Sequence, residues 1–444
     1  MRSLILGWFP TLRVGLVTAA LFVVAVASTW IPMLLTVAWV ILWLGIIAVV
    51  VDTILLWGRS ITVNAWRSFE DRLSNGEFNP VTVHVDIASP LTLEMTVIDE
   101  LPIQLQERGL VFPWMRVEGR PISFAYEIRP VTRGIYAFGA INVFLRTRLG
   151  LVQRCVRCDA ERTADVYPSI MEMRRAELAT FSNRQMRYGV HRQRRLGHTM
   201  EFEKVAQYTS GDDIRTINWK ATAKRSSLMV NLYQDERSQD IYSVIDLGRS
   251  MRYAHNGMTM LDHAINSTLA FSNIVVRKQD RVGLVTYDAH NVSVLPSAAS
   301  AAQMGAVMKR LYSIDTNFEQ SDDEMLVERL RKTIRSRSLL MLFTNIESID
   351  AARRRLPAFR LLARSHVVVV NFFDNEAIRS VATKHPETTE GIYRQAIARN
   401  SLMEKSEILH ELRRAGIHAT LSSPAMLSVN AINMYLQLKA RGVV

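Results

Sequence analysis

The chain has 444 residues, with 54 Lys and Arg against 42 Asp and Glu for a formal net charge of +12, and two cysteines. That length calls for two or three folded units, and so few cysteines exclude a disulfide-stapled scaffold and agree with a reducing compartment. The positive balance favours an anionic partner, but it is spread along the chain and does not choose among phospholipid, nucleic acid and acidic protein.

No residue from Val14 to Val51 is charged. As one helix the run would extend about 57 Å at 1.5 Å per residue, nearly twice a hydrocarbon core of about 30 Å, so it must fold back. Pro32, beside Trp30 and Ile31, is where a turn costs least. Two spans are predicted, 13–30 and 33–57, with Asp52 and Trp57 near the far head groups. Arg2 and Arg13 before the first span, and Arg59, Arg67 and Arg72 after the second, put both termini in the cytoplasm by the positive-inside rule. A competing reading is a signal peptide cleaved at "AVAS", Ala25 to Ser28; the rest of the chain is cytoplasmic either way.

Residues 79–168 alternate apolar and polar in short runs ("VTVHVDI", "LTLEMTVI", "ISFAYEI", "INVFLRT"), the pattern of half-buried strands in a β-sandwich. Cys155 and Cys158 lie in a strand-like, Arg-rich stretch with no second pair to complete a zinc site, which favours a structural role. From Ser169 to Asp240 the pattern turns irregular and charged. The loop "RYGVHRQRRLGH" carries Arg192, Arg194 and Arg195, candidates for contact with an anionic surface. Scarce aromatics there weaken a nucleic-acid reading. Gly211 followed by Asp212 and Asp213 marks a turn, with Arg215, Lys220 and Lys224 close enough in sequence to pair with the two acids.

Beyond Gln239 apolar strands (241–246, 281–288, 338–345, 366–373 and 417–422) alternate with helical stretches (260–278, 301–314, 323–335, 350–364 with Pro357 inside, and 402–416). Fully apolar strands between helices mean a mostly parallel sheet covered on both faces, with ligands bound beyond the C-terminal strand ends. "DLGRSM", 246–251, occupies such an end.

"DLGRSM", a long helix and then "VGLVTYD" resemble a von Willebrand factor A domain, whose cation site begins Asp-x-Ser-x-Ser. With Gly211, Asp212, Asp213, Arg215, Asn218, Trp219 and Lys220 in a characteristic motif, the whole chain resembles the bacterial membrane family called domain of unknown function 58. The resemblance implies two transmembrane helices (1–60), a β-sandwich (61–168), a connecting segment with the motif (169–238) and an α/β von Willebrand factor A-like domain (239–444), in the inner membrane with the bulk of the chain cytoplasmic. It implies as partners a MoxR-type AAA+ ATPase and a client protein, besides membrane lipid. Asp246, Ser250 and Thr316 match ligands of a Mg²⁺ or Mn²⁺ site; Gly248 replaces a serine and Asn345 an acid, with Asp315 as a candidate compensator. Without a phosphate loop, GxGxxG, HExxH or GxSxG, the expected function is a non-catalytic membrane adaptor. Its rivals are a metal-dependent hydrolase using Asp212, Asp213 and Asp246, and an anionic-lipid or nucleic-acid binder.

Overall fold

The structure, a computed structural model, describes residues 7–31, 33–58, 61–107, 110–117, 120–169, 175, 201–209, 214–225, 227–234, 238–386 and 388–443. They form two compact units that divide after Tyr167. The apolar helices thus belong with the β-rich unit, and the motif segment belongs with the α/β unit.

In the first unit, helix α1 (Leu12–Ala27) is apolar but short, whereas α2 (Met33–Trp57) is long and apolar enough to cross a membrane. Strand β1 (Trp8–Pro10) precedes them. After them come β2 (Thr62–Ser68), β3 (Asn79–Ala88), β4 (Glu94–Asp99), β5 (Leu110–Arg116), β6 (Ile122–Ile128), β7 (Ile141–Arg146) and β8 (Val152–Cys158). Five strands form one sheet in the order β1-β8-β7-β4-β5, and β2-β3-β6 form a second. Alternate residues of β3, Val83, Val85 and Ile87, meet Met95 and Val97 of β4 and Val143 and Leu145 of β7 in one core, which is the period-two pattern read from sequence. A third small sheet joins Arg72–Ser74, Arg162–Tyr167 and Gly134–Phe138.

The far end of α2 is built into this core. Leu56 is fully buried in it, and Asp52, also fully buried, accepts hydrogen bonds from the backbone N–H groups of Leu151 and Val152 at 2.9 Å each and from the Thr147 hydroxyl. The same β7–β8 turn holds the start of α1: Thr11 donates its hydroxyl to the Gly150 carbonyl at 2.7 Å, and Arg13 donates to that of Leu149 at 2.8 Å. Gly150 has φ +60° and a Cβ there would meet the Arg13 guanidinium at 2.8 Å, so the turn needs glycine. Cys155 and Cys158, three apart on β8, point to opposite faces; burial pushes both thiols up, which favours the protonated form.

The second unit is organised by a six-stranded sheet. Its strands are β9 (Asp240–Asp246), β10 (Arg281–Tyr287), β11 (Val292–Ala298), β12 (Leu339–Phe343), β13 (Val367–Phe373) and β14 (His418–Ser422), in the order β11-β10-β9-β12-β13-β14. All neighbours run parallel except β11, an antiparallel edge strand absent from the sequence expectations. Helices α3 (Met260–Arg277), α4 (Ala301–Tyr312) and α9 (Leu427–Ala440) cover one face; α5 (Asp323–Thr333), α6 (Ile349–Ala363) and α8 (Thr389–Arg414) cover the other. Helix α7 (Glu376–Thr383) precedes α8. Pro357 stays inside a continuous α6, and α8 begins well before residue 402. Because β10 and β12 flank β9 on opposite sides, strand order reverses beside β9, the place where doubly wound sheets open a crevice at their C-terminal ends.

Candidate functional site

Asp246 ends β9 at that crevice and is 1% exposed. Four groups surround its carboxylate. The Gly248 N–H donates to Oδ1 at 2.8 Å, the Ser321 hydroxyl donates to the same oxygen, the Thr344 hydroxyl donates to Oδ2 at 2.5 Å, and Arg355 Nη2 lies 3.1 Å from Oδ2. A carboxylate offers about four lone-pair directions, so this one is saturated by its own protein.

Arg355, on α6, ties the cluster together. It donates from Nε and Nη2 to the two oxygens of Asp323, at 2.8 Å each, from Nη1 to the Thr344 hydroxyl at 2.7 Å and from Nη2 to the Tyr287 hydroxyl at 2.7 Å. Asp323 sits in the first turn of α5, where the helix dipole favours a negative charge. Burial works against the guanidinium charge, but the carboxylates of Asp246 and Asp323 outweigh it, and Arg355 stays protonated well above its ordinary range. Burial likewise pushes the Tyr287 phenol up and keeps it a neutral donor.

The residues matched to a cation site from sequence occupy other roles. Thr316 donates its hydroxyl to the Leu247 carbonyl at 2.8 Å and accepts from the Phe318 N–H at 3.1 Å, which fastens its loop to the end of β9. Ser250 meets Asn345 through its backbone: the Asn345 amide donates to the Ser250 carbonyl at 3.0 Å. Asp315 accepts from the N–H of Thr316 at 2.9 Å. Gly248 has a steric reason, because a Cβ there would stand 2.0 Å from the Ser321 hydroxyl. The hydroxyl missing from position 248 is therefore supplied by Ser321, from a distant loop. Where an acid was expected, the Asn345 carbonyl oxygen accepts from Lys405 Nζ at 3.4 Å, and Lys405 also donates to the Ile346 carbonyl. Burial lowers the Lys405 pKa from 10.5 to about 8.

This arrangement does not fit Mg²⁺ or Mn²⁺, which need several oxygen ligands free to turn toward them. Among the described residues no group of three or more His, Cys, Asp or Glu is placed to hold a metal ion. Arg355, Asp323, Ser321, Thr344 and Lys405 are the site residues that sequence reasoning missed; only the charge of Arg355 and Lys405 inside amphipathic helices hinted at them.

The motif segment forms an antiparallel pair, Glu201–Gln207 with Met229–Gln234, carrying a short helix, Trp219–Arg225. Asn218 caps that helix: its side-chain oxygen accepts from the Ala221 N–H at 3.0 Å and its amide donates to Asn231 at 2.8 Å. Trp219 is 69% exposed, and Ile214 (70%) and Leu228 (45%) flank it in sequence. Lys220 is exposed as well. Gly211, Asp212, Asp213, Arg192, Arg194 and Arg195 lie outside the described residues, as does the side chain of Arg215.

Comparison with known proteins adds a family match. The chain is similar to "Uncharacterized protein YeaD" of Bacillus subtilis (strain 168), 26% identical over 186 residues that make up 39% of this chain and 45% of that protein. It thus spans less than half the length of that relative. Among solved structures, a CARDB domain from Pyrococcus furiosus aligns with 24% of this chain and 88% of its own at 12% identity and a TM-score of 0.17. The alkylpurine DNA glycosylase AlkC of Pseudomonas fluorescens aligns with 26% of this chain and 32% of its own at 14% identity and a TM-score of 0.16. Residues 204–390, which contain both the Asn218–Trp219 helix and the Asp246 cluster, match the family described as "Protein of unknown function DUF58".

Proposed function

We propose that the chain is a membrane-anchored, non-catalytic adaptor whose von Willebrand factor A-like unit recruits a partner protein, of the class of a MoxR-type AAA+ ATPase or its client, on the cytoplasmic side of a bacterial inner membrane. The observation that carries this reading is the exposed Trp219, with Ile214 and Leu228, between the two paired strands of the motif segment, on a helix capped by Asn218. A large apolar side chain held out from a rigid frame is the kind of anchor that dominates protein interfaces. A non-catalytic role is supported by the Asp246 cluster, whose carboxylate is taken up by the hydroxyls of Ser321 and Thr344, the Gly248 N–H and Arg355.

A two-span anchor is supported by β1, which pairs with β8 before α1 leaves the sheet, while α2 returns into the core of the same unit. Both ends of the helical hairpin therefore lie on one side, and removing residues 1–28 as a signal peptide would strip a paired strand from the sheet. The test is affinity capture of the tagged full chain from gently solubilised native membranes, with and without ATP, beside Trp219→Ala. Nucleotide-dependent capture of an AAA+ ATPase, lost in the variant, is expected; no ATPase under any condition overturns the reading.

A further inference from the structure

Arg355 stands where a doubly wound sheet binds its ligands: at the C-terminal ends of β9 and β12, against the carboxylate that ends β9. Three features show that the place is built around it. The guanidinium grips both oxygens of Asp323 while its Nη2 also reaches Asp246, so a single positive group faces one buried and one partly buried carboxylate. Its Nη1 donates to Thr344, whose own proton goes to Asp246, so even the hydroxyl between them is oriented by the arginine. Packing completes the fit, with the guanidinium 5.2 Å from the Phe359 ring centre one helical turn along α6.

We propose that Arg355 is the resident cation of this site, taking the place of a divalent ion, and that removing its guanidinium uncovers a divalent-cation site made of Asp246, Asp323 and the hydroxyls of Ser321 and Thr344. An arginine does not dissociate from the protein and does not lose its proton in the physiological range, so the charge that holds the strand-end loops is permanent. It is insensitive to chelators and to the supply of metal. With Arg355 gone, the two carboxylates and the Thr344 hydroxyl face the vacated place without a counter-charge, and the Ser321 hydroxyl stands on the other oxygen of Asp246, a set of hard oxygen donors that suits Mg²⁺, Mn²⁺ or Ca²⁺. This site chemistry is the same whichever partner binds the unit, so its test is separate from the capture experiment.

The experiment uses the full chain purified in detergent, with Mn²⁺ as the probe, read by electron paramagnetic resonance of free Mn²⁺ and by thermal unfolding in Mn²⁺ or EDTA. Wild type is expected to melt alike in both and to bind no Mn²⁺ that Asp246→Asn abolishes. Arg355→Met is expected to bind one Mn²⁺ and to gain roughly 5 °C or more in Tm at a hundredfold excess over Kd. Should that variant fold poorly, Arg355→Met with Asp323→Asn carries one carboxylate less, keeps Asp246 and is expected to bind Mn²⁺ more weakly. Arg355→Lys, which keeps the charge, is expected to bind none. Asp246-dependent Mn²⁺ binding by wild type overturns the proposal, as does the absence of both Mn²⁺ binding and Mn²⁺-dependent folding in the Met variant and the double variant alike.

Discussion

The two units each bury an arginine, an aspartate and a tyrosine in contact, and the pair differ in balance and in place. In the β-rich unit Arg67 donates from Nε to Asp99 at 2.9 Å, Tyr126 donates to the same carboxylate at 2.6 Å, and the arginine finishes its bonds on the Ala160 and Ala140 carbonyls at 2.7 and 3.3 Å. One positive group meets one negative group, and the guanidinium lies 5.3 Å from the Phe138 ring centre. In the α/β unit the arginine faces two aspartates, and the remaining acceptor capacity is met by hydroxyls and a backbone N–H from separate loops. The first cluster is a neutral strut. The second is a binding site filled by the protein itself, lying at the strand ends where loops converge, with one negative charge in excess.

Breaking each arginine separates the two cases most sharply. Removing one partner of a buried ion pair costs about 3–5 kcal/mol because the other charge is left uncompensated. Arg67→Met should lower the stability of the β-rich unit by about that much, and Arg355→Met should cost the α/β unit at least as much, because two carboxylates are orphaned. Adding Asp323→Asn should recover part of the Arg355→Met loss, as chemical denaturation of the full chain would measure. No recovery on adding Asp323→Asn, or a smaller loss for Arg355→Met than for Arg67→Met, would contradict the charge count.

Asp52 offers a break confined to the first unit. It satisfies two backbone N–H groups and the Thr147 hydroxyl, and an orphaned buried donor costs about 1–3 kcal/mol. Asp52→Ala should therefore destabilise the β-rich unit by a few kcal/mol without moving the α/β transition, and differential scanning calorimetry in detergent would resolve the two. If both transitions shift, the acid is doing more than joining α2 to the β7–β8 turn.

The second buried cation of the α/β unit sharpens the comparison through pH. Lys405 has a folded pKa of about 8 against an ordinary 10.5, so between those values the unfolded chain binds the extra proton. The cost of burying its charge is present in full below about pH 8 and is relieved as pH rises toward 10.5. Wild-type stability, measured relative to Lys405→Met, should climb across that window and stay level from pH 6 to 7.5. Arg355 gives no such slope because it does not titrate there. The smallest effect belongs to Trp219→Ala, which should change stability by less than about 0.5 kcal/mol, as expected for an exposed side chain, while removing partner capture.

Much of the fold could be read from periodicity alone. Fully apolar runs marked β9, β10, β12 and β13, and strict alternation marked β3, because a strand buried on both faces or on one leaves that imprint on its residues. Asp246 was legible for the same reason, as the acid that ends the first apolar strand. Helix α9 went unread although Leu427, Ala431, Tyr435 and Leu438 lie on one stripe, and α8 began earlier than expected because Ile392, Tyr393 and Ile397 in its first half are exposed and hide its inner face.

What stands around Asp246 is a different matter. Ser321, Thr344 and Arg355 lie far from it in sequence and reach it only because crossovers bring the ends of β9 and β12, the loop before α5 and the first turns of α6 to one point. Local pattern therefore determined the elements, the long apolar helix and the position of the acid, since each depends on residues a few places apart. Whether that acid would meet a metal ion or an arginine was decided by the tertiary structure alone, since charge and steric fit at a strand end are set by side chains that no local period connects.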